Sequence, residues 1–234
     1  MRLAIAALCV LGALAASQAQ AAGTTCGETV RLSVDPPTRM DDVVAALRRR
    51  LAAAGEEQPL VERDGSAVLR VLLPAGASDS ILTRPAKIEF RLVAKSADEP
   101  GVVAMPRLDG KGTEYVEPQI ILDEERLREI RVKEEPNPAG GPAVAAIAFH
   151  IETTGVNNLL TATTEAVGRK LAILVDDRIV AEPIIRAPVA SMTGEISGGF
   201  TLASAKELVA LIANGRLQGR VAILGRQPAP CMTH

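Results

Sequence analysis

The chain has 234 residues, a net charge of −2, no Trp, one Tyr, three Phe, two His and three Cys. Nucleic-acid binders need a basic surface and single-strand binders need aromatic stacking platforms, so this composition argues against both, and two histidines exclude a multi-His metal centre. With 47% hydrophobic and 23% charged residues the chain is ordinary globular material whose core has to be aliphatic.

The first predicted element lies outside the fold. Met1-Arg2 is a short positive end, Leu3 to Ala16 is an uncharged apolar run, and Ala19-Gln20-Ala21 offers small residues at the positions a signal peptidase reads. The run is shorter than the ~20 apolar residues a membrane span takes. Cleavage is expected near Ala21, removing Cys9 and placing the mature chain in the periplasm or outside the cell. No later stretch is apolar enough to cross a membrane, so the mature chain is expected not to span one. Cys26 and Cys231 remain. In an oxidising compartment they suggest one disulfide, against the alternative of two unrelated thiols.

Val30 to Val34 alternates apolar and polar residues, which predicts a strand stopped by Asp35-Pro36-Pro37. Thr38, with Asp41 three residues on, predicts a capped helix whose face carries Met40, Val43, Val44, Leu47, Leu51 and Ala54. Arg48-Arg49-Arg50 falls in its last turn and reads as a solvated basic end that complements the helix dipole. Pro59 to Arg63 and Ala67 to Leu73, around Asp64-Gly65-Ser66, predict a hairpin. Near the C-terminus Thr201 predicts the cap of a second helix, with Leu202, Ala205, Leu208, Val209 and Ile212 on one face and Gly215 after it. Arg220 to Leu224 predicts a last strand.

Joined, these ends give the order βαββαβ, a ferredoxin-like base. That topology sets the first and last strands side by side and running oppositely, which brings Cys26 and Cys231 within bonding reach. Closing a loop of that length is worth roughly 5 kcal/mol. The expected domains are a signal peptide at 1–21, the base at 26–80 and 200–231, and an inserted β-rich α+β head lobe at 86–199. Within the head, strands are predicted at Lys87–Lys95, Tyr115–Leu122, Ile130–Glu135, Val144–Glu152, Lys170–Asp176 and Ile179–Ile185, with a helix at Gly155–Val167. Ser96 to Thr113 and Pro136 to Pro142 read as loops. The fold class is α+β.

The head also carries a family resemblance. Thr164-Glu165-Ala166-Val167-Gly168-Arg169-Lys170-Leu171-Ala172-Ile173-Leu174-Val175-Asp176 resembles a T-x-x-x-x-Gly-Arg-x-Leu-Ala-Ile-x-x-Asp segment of SecD, the protein-export translocase subunit. Ala181-Glu182-Pro183-Ile184 is similar to that family's Ala-Pro-x-Ile strand, and Gly194 to Thr201, including Gly198 and Phe200, to its Ile-x-Gly-x-Phe-Thr entry into a helix. Lys87 to Val93, with Glu89, Phe90 and Arg91, is similar to its Leu-Glu-Phe-Arg strand, and Leu72-Leu73-Pro74 with Gly76 approximates its Leu-Pro-Gly. The resemblance runs from about Val30 to Leu224 and implies the first periplasmic domain of SecD, a base with an inserted head. It departs from the family at Gln218, where a Pro is expected, and at Ala75, which interrupts Leu-Pro-Gly. SecD continues into transmembrane helices that carry proton coupling; here a cleavable signal is expected in place of one anchor, and a Cys26–Cys231 bridge in place of membrane tethering.

Chemistry is sparse. His150 points away from the apolar face set by Ala145, Ile147, Phe149 and Ile151, and reads as a solvated strand histidine. No Gly-x-Ser-x-Gly elbow occurs. Asp109-Gly110-Lys111-Gly112-Thr113 lacks P-loop spacing and reads as a turn. Asp176-Asp177 predicts a turn between two strands, while Asp41-Asp42, Glu124-Glu125 and Glu134-Glu135 read as solvated or dipole-facing pairs. No cofactor or metal is implied. The resemblance implies a non-catalytic module that binds an exported or envelope polypeptide, with the translocase as a candidate partner and a sheet edge or the cleft between lobes accepting an extended segment. The alternatives are a structural or regulatory subunit of one envelope complex, or a hydrolase. Two loop-like, glycine-bearing segments, Pro74 to Pro85 and Ser191 to Gly199, read as hinges between the lobes.

Overall fold

A computed structural model describes residues 25–137, 140 and 144–230. In chain order the elements are β1 (Thr25–Asp35), α1 (Met40–Ala53), β2 (Val61–Arg63), β3 (Val68–Pro74), α2 (Ser80–Thr83), β4 (Ile88–Leu92), β5 (Val103–Pro106), β6 (Thr113–Val116), β7 (Leu122–Asp123), β8 (Leu127–Glu135), β9 (Val144–Ile151), α3 (Thr153–Glu165), β10 (Leu171–Val175), β11 (Arg178–Ala181), β12 (Thr193–Thr201), α4 (Leu202–Ala213) and β13 (Arg220–Pro230). The chain is a mixed α and β fold.

The base is an antiparallel sheet in the order β13-β1-β3-β2. Alternation puts Val30, Leu32, Val34, Leu69 and Val71 on one face, where Met40, Val43, Leu47 and Leu51 of α1 cover them. The opposite face carries Thr29, Arg31, Ser33 and Arg70. The register pairs Thr25 with Pro230, one residue from each cysteine. Cys231 and the Cys26 side chain lie outside the described residues, as do the expected signal peptide and Cys9.

α1 does not start at Thr38. Pro37–Arg39 form a 3-10 turn, and α1 begins at Met40 with no side-chain cap. Proline's fixed φ and missing N–H suit that tight first turn.

The head holds two further sheets, β11-β10-β4-β7 and β12-β9-β8, and a β5-β6 hairpin. Its core takes Ile88 and Phe90 of β4, Ile147 and Phe149 of β9, Ile196 and Phe200 of β12, and Leu159 of α3. All three phenylalanines therefore sit in the head core, with Phe90 and Phe149 meeting edge to face at 6.0 Å.

Three head elements were expected as loop or strand and differ. β5 falls in the predicted loop Ser96–Thr113; its Val-Ala-Met-Pro is too short to show a period. β12 replaces the second expected hinge. It pairs with β9 from Thr193 and buries Ile196 and Phe200, so all but the first two residues of that hinge belong to the β12-β9-β8 sheet. Residues Glu117–Ile121, predicted as strand, run between β6 and β7, because Pro118 cannot donate to a ladder.

α4 also departs from expectation. Its cap is as read: Thr201 accepts from the Ser204 amide, and Ser204 returns the bond in a capping box. Its buried face, Ala205, Leu208 and Leu211, joins the head core rather than the base core. The chain therefore crosses from base to head through Pro74–Lys87 and returns through Asn214–Gly219.

The basic end of α1 is not solvated as a whole. Arg50 is 2% exposed, on the same helical stripe as Leu47 and Leu51. It donates to four carbonyls, those of Gly215 (2.9 Å), Ile81 (3.2 Å), Arg84 (2.7 Å) and Pro85 (3.2 Å). Burial pulls its pKa down to about 10, so it is still a cation at neutral pH. Arg49 Nε donates to the Asn214 carbonyl at 3.1 Å. Both arginines thus meet the carbonyl-rich C-terminal end of α4, where cations are favoured.

Candidate functional site

The residues singled out by motif divide into three groups. The first is a charged line along β4 and β10. Glu89 and Arg91 are both buried, and Arg91 Nε donates to Glu89 Oε2 at 2.9 Å. Lys87 Nζ reaches Glu89 Oε1 at 2.9 Å and Asp177 Oδ1 at 2.8 Å. Burial pulls the Lys87 pKa down, but the hydrogen bonds to Asp177 and Glu89 outweigh it and leave the pKa above its ordinary value. Asp176 and Asp177 have φ of 48° and 61°, as a tight hairpin turn between β10 and β11 requires. Asp176 accepts from the Lys87 amide at 2.9 Å and from Arg84 Nε at 2.6 Å. This turn aspartate therefore holds the segment that leads into the head, a role beyond the solvated turn read from sequence.

The second group packs the head. Phe90 and Phe200 are core residues. Gly194 lies directly opposite Phe149 across β12 and β9, where a Cβ would come 2.4 Å from the ring. Its role is close approach of the strand to the Phe149 ring. Gly198 falls in the register shift of β12, and Thr201 caps α4.

The third group borders a groove of about 480 Å³ between α3 and the Glu117–Ile121 segment. Leu92, Ile121, Ala162 and Ala166 give it apolar surface; Lys95, Glu117, Gln119, Asn158, Thr161, Glu165 and Arg169 supply polar groups, and Ile120 is exposed at its edge. Arg169 is placed by Gly168, whose φ of 89° turns the chain after α3. It donates to the Val93 carbonyl at 2.8 Å and pairs with Glu117. Thr164 is exposed and bonds back to the Leu160 carbonyl at 2.7 Å. Pro183 is exposed, and its carbonyl accepts from the Leu171 amide at 2.9 Å. Of the quoted motif segments, Leu92, Glu165, Ala166 and Arg169 line this groove, whereas Thr164, Gly168 and Pro183 do not. The lining residues on 117–121 and 158–162 belong to no quoted motif; the local signal in the first of them was Pro118, which interrupts the predicted strand Tyr115–Leu122.

His150 is half exposed and lies 3.3 Å from Glu129 on the neighbouring strand, as a solvated strand histidine would. Asp109 Oδ1 accepts from the Lys111 amide at 2.9 Å, which makes that segment the expected turn. The Glu124-Glu125 pair departs from the solvated reading, because Glu124 is 6% exposed. Its Oε2 accepts from the Ile88 amide at 2.9 Å and its Oε1 from Arg216 at 2.6 Å. Among the described residues no three His, Cys, Asp or Glu side chains are grouped to hold a metal. No helix among them is long and apolar enough to cross a membrane.

Comparison with known proteins agrees with this architecture. The chain is 27% identical over 198 residues to the protein translocase subunit SecD of Rickettsia bellii, covering 79% of this chain and 37% of that protein. It is 24% identical over 205 residues to the SecD of Acetobacter pasteurianus, covering 77% and 36%. The chain thus spans little more than a third of these relatives. Among solved structures, one described as a membrane component SecDF that enhances protein export superposes with a TM-score of 0.63 at 18% identity, covering 84% of this chain and 98% of that one. SecDF in its super-membrane-facing form gives 0.64 at 19% identity, covering 86% and 30%. The SecDF P1 head subdomain family matches residues 102–219, from β5 through the return crossing. A match over half the chain, coinciding with the lobe that holds the groove, makes this chain a member of the SecDF P1 head family.

Proposed function

We propose that the chain is a non-catalytic extracytoplasmic module related to protein export, and that its head groove beside α3 binds an extended segment of an exported or envelope polypeptide. The observation that carries this is the groove's make-up: the buried Leu92, Ile121 and Ala166 with Ala162, together with polar side chains from both α3 and the 117–121 segment. Such a lining takes apolar side chains while its amide and charged groups satisfy a peptide backbone. The named relatives are translocase subunits, which supports the translocase as the setting in which the module works. The expected ferredoxin-like base at 26–80 and 200–231 is kept for its sheet, with α4 packed in the head beside 86–199; a signal peptide removed near Ala21 and a Cys26–Cys231 disulfide complete the reading. The strand order β13-β1-β3-β2 supports the base, and the pairing of Thr25 with Pro230 supports the bridge.

Photocrosslinkers at Asn158 and at Thr161, with one at Ser33 on the base sheet as control, test the groove. The expected result is adducts with many unrelated exported chains from the groove positions alone. Adducts with a single recurrent partner would instead favour a subunit of one complex. Equal yields from Ser33 would refute the groove.

A further inference from the structure

Two stretches of chain, 74–87 and 214–219, join the lobes, and each is gripped from both sides. From the base, the buried Arg50 guanidinium donates to Ile81, Arg84 and Pro85 on the first crossing and to Gly215 on the second. From the head, Asp176 accepts from the Lys87 amide and Arg84 on the first crossing, and the buried Glu124 carboxylate accepts from Arg216 on the second and from the amide of Ile88, the first residue of β4. The crossings also bond each other, Leu217 N to the Pro85 carbonyl at 3.1 Å. A buried cation therefore reads the carbonyls of this neck, and a buried anion ties the arginine of the second crossing to the β4 amide that follows the first.

We infer that Arg50 and Glu124 are positioning residues that together clamp the neck and set the orientation of the head, with its groove, relative to the base. The chemistry fits a clamp better than ordinary core filling. Arg50 has no carboxylate within hydrogen-bond reach among the described residues; its fork spends itself on backbone carbonyls of segments far apart in sequence. A guanidinium offers several N–H donors in fixed geometry, which a Lys cannot reproduce. Apart from the single turn of α2, these crossings carry loop backbone, and each carbonyl or amide held this way removes freedom from it. With both clamps closed, the crossings cannot rotate independently. This inference concerns lobe geometry and does not depend on what fills the groove.

The test is an inter-lobe distance distribution from spin labels at Ala52 on α1 and Asn157 on α3, attached by chemistry that spares cysteine. Hydrogen exchange is read in parallel. The full chain is expected to give one narrow distribution. R50M and E124Q should each add a second population and speed exchange of the Ile88 and Leu217 amides about tenfold. Core amides of β1 and β9 should stay protected, and R50K should behave as R50M does. Should R50M fail to fold, E124Q decides alone, since it keeps the size of the side chain and leaves the base core untouched. A broad distribution in the unmodified chain would overturn the inference. So would an unchanged distribution in folded variants.

Discussion

Gly194→Ala is the sharpest test of head packing. Glycine in a strand is usually a weak point, and replacing it by alanine stabilises by about 0.4–1 kcal/mol when the backbone allows it. Gly194 has no unusual φ, so backbone strain does not enter. The obstacle is steric. An added Cβ would stand 2.4 Å and 2.5 Å from two ring atoms of Phe149, which is itself buried and pressed edge to face on Phe90. Overpacking of this kind costs about 1–3 kcal/mol. The net expectation is a destabilisation of about 1–2 kcal/mol, or a fall of roughly 2–6 °C in Tm for a chain of this size. Phe149→Leu alone should cost on the order of 1–3 kcal/mol through lost volume and the lost ring pair. The double variant then carries the diagnosis. Leucine leaves room for the new methyl, so the two changes should sum to less than their parts by about 1 kcal/mol. Urea unfolding of the four proteins measures this directly. A neutral or stabilising Gly194→Ala, or strict additivity in the cycle, would refute the close-packing account of this motif glycine.

Thr201→Ala removes the side-chain half of the α4 capping box, the acceptor for the Ser204 amide, while the residue-201 amide still donates to Ser204 Oγ; it should cost about 0.5–2 kcal/mol, read as a lower urea midpoint at unchanged slope. The Lys87 pKa is raised in the fold, so its contribution is fully present at neutral pH and lost as pH rises above about 10.5. Unfolding curves of the protein and of Lys87→Met should therefore converge above about pH 10.5, and parallel curves would exclude that linkage. A non-reducing peptide map should show Cys26 joined to Cys231, with reduction lowering stability by about 2–5 kcal/mol; two free thiols would rule the bridge out.

Local signals carried far in this chain and stopped where partners were needed. The hairpin at Val61–Arg63 and Val68–Pro74, the Asp176-Asp177 turn and the Thr201 cap follow from residues within a few positions of each other, and all are present. The apolar face of α4 was legible as a face, but not which core would take it. β12 escapes a local reading because Gly194, Gly198 and Gly199 dilute its strand signal, while the Phe149 ring that selects Gly194 comes from another strand. At Arg50 charge outweighs position when the sequence is read alone. Its place between Leu47 and Leu51 on the Met40–Val43 stripe was the available signal, since a charge on a buried stripe needs a partner. Glu124 carried no such signal. Its partners, Ile88 and Arg216, are brought to it only by the tertiary fold. In the groove, Arg169 is legible through its motif, whereas Asn158 and Thr161 lie on an α3 face that nothing local distinguishes.

The pairing of Thr25 with Pro230 has a mechanical consequence. β1 and β13 run antiparallel from that pair inward, so tension applied at the two ends of the described chain acts across the ladder, not along it. Hydrogen bonds loaded this way break in succession, like a zipper, at far lower force than strands pulled in shear. The head is joined to the base only through the 74–87 and 214–219 crossings, which lie beyond the β1–β13 ladder on the load path. Pulled from its ends, the molecule would peel apart β1 and β13 before any stress reached the groove. A covalent link at residues 26 and 231 would divert the load and leave the whole fold mechanically silent.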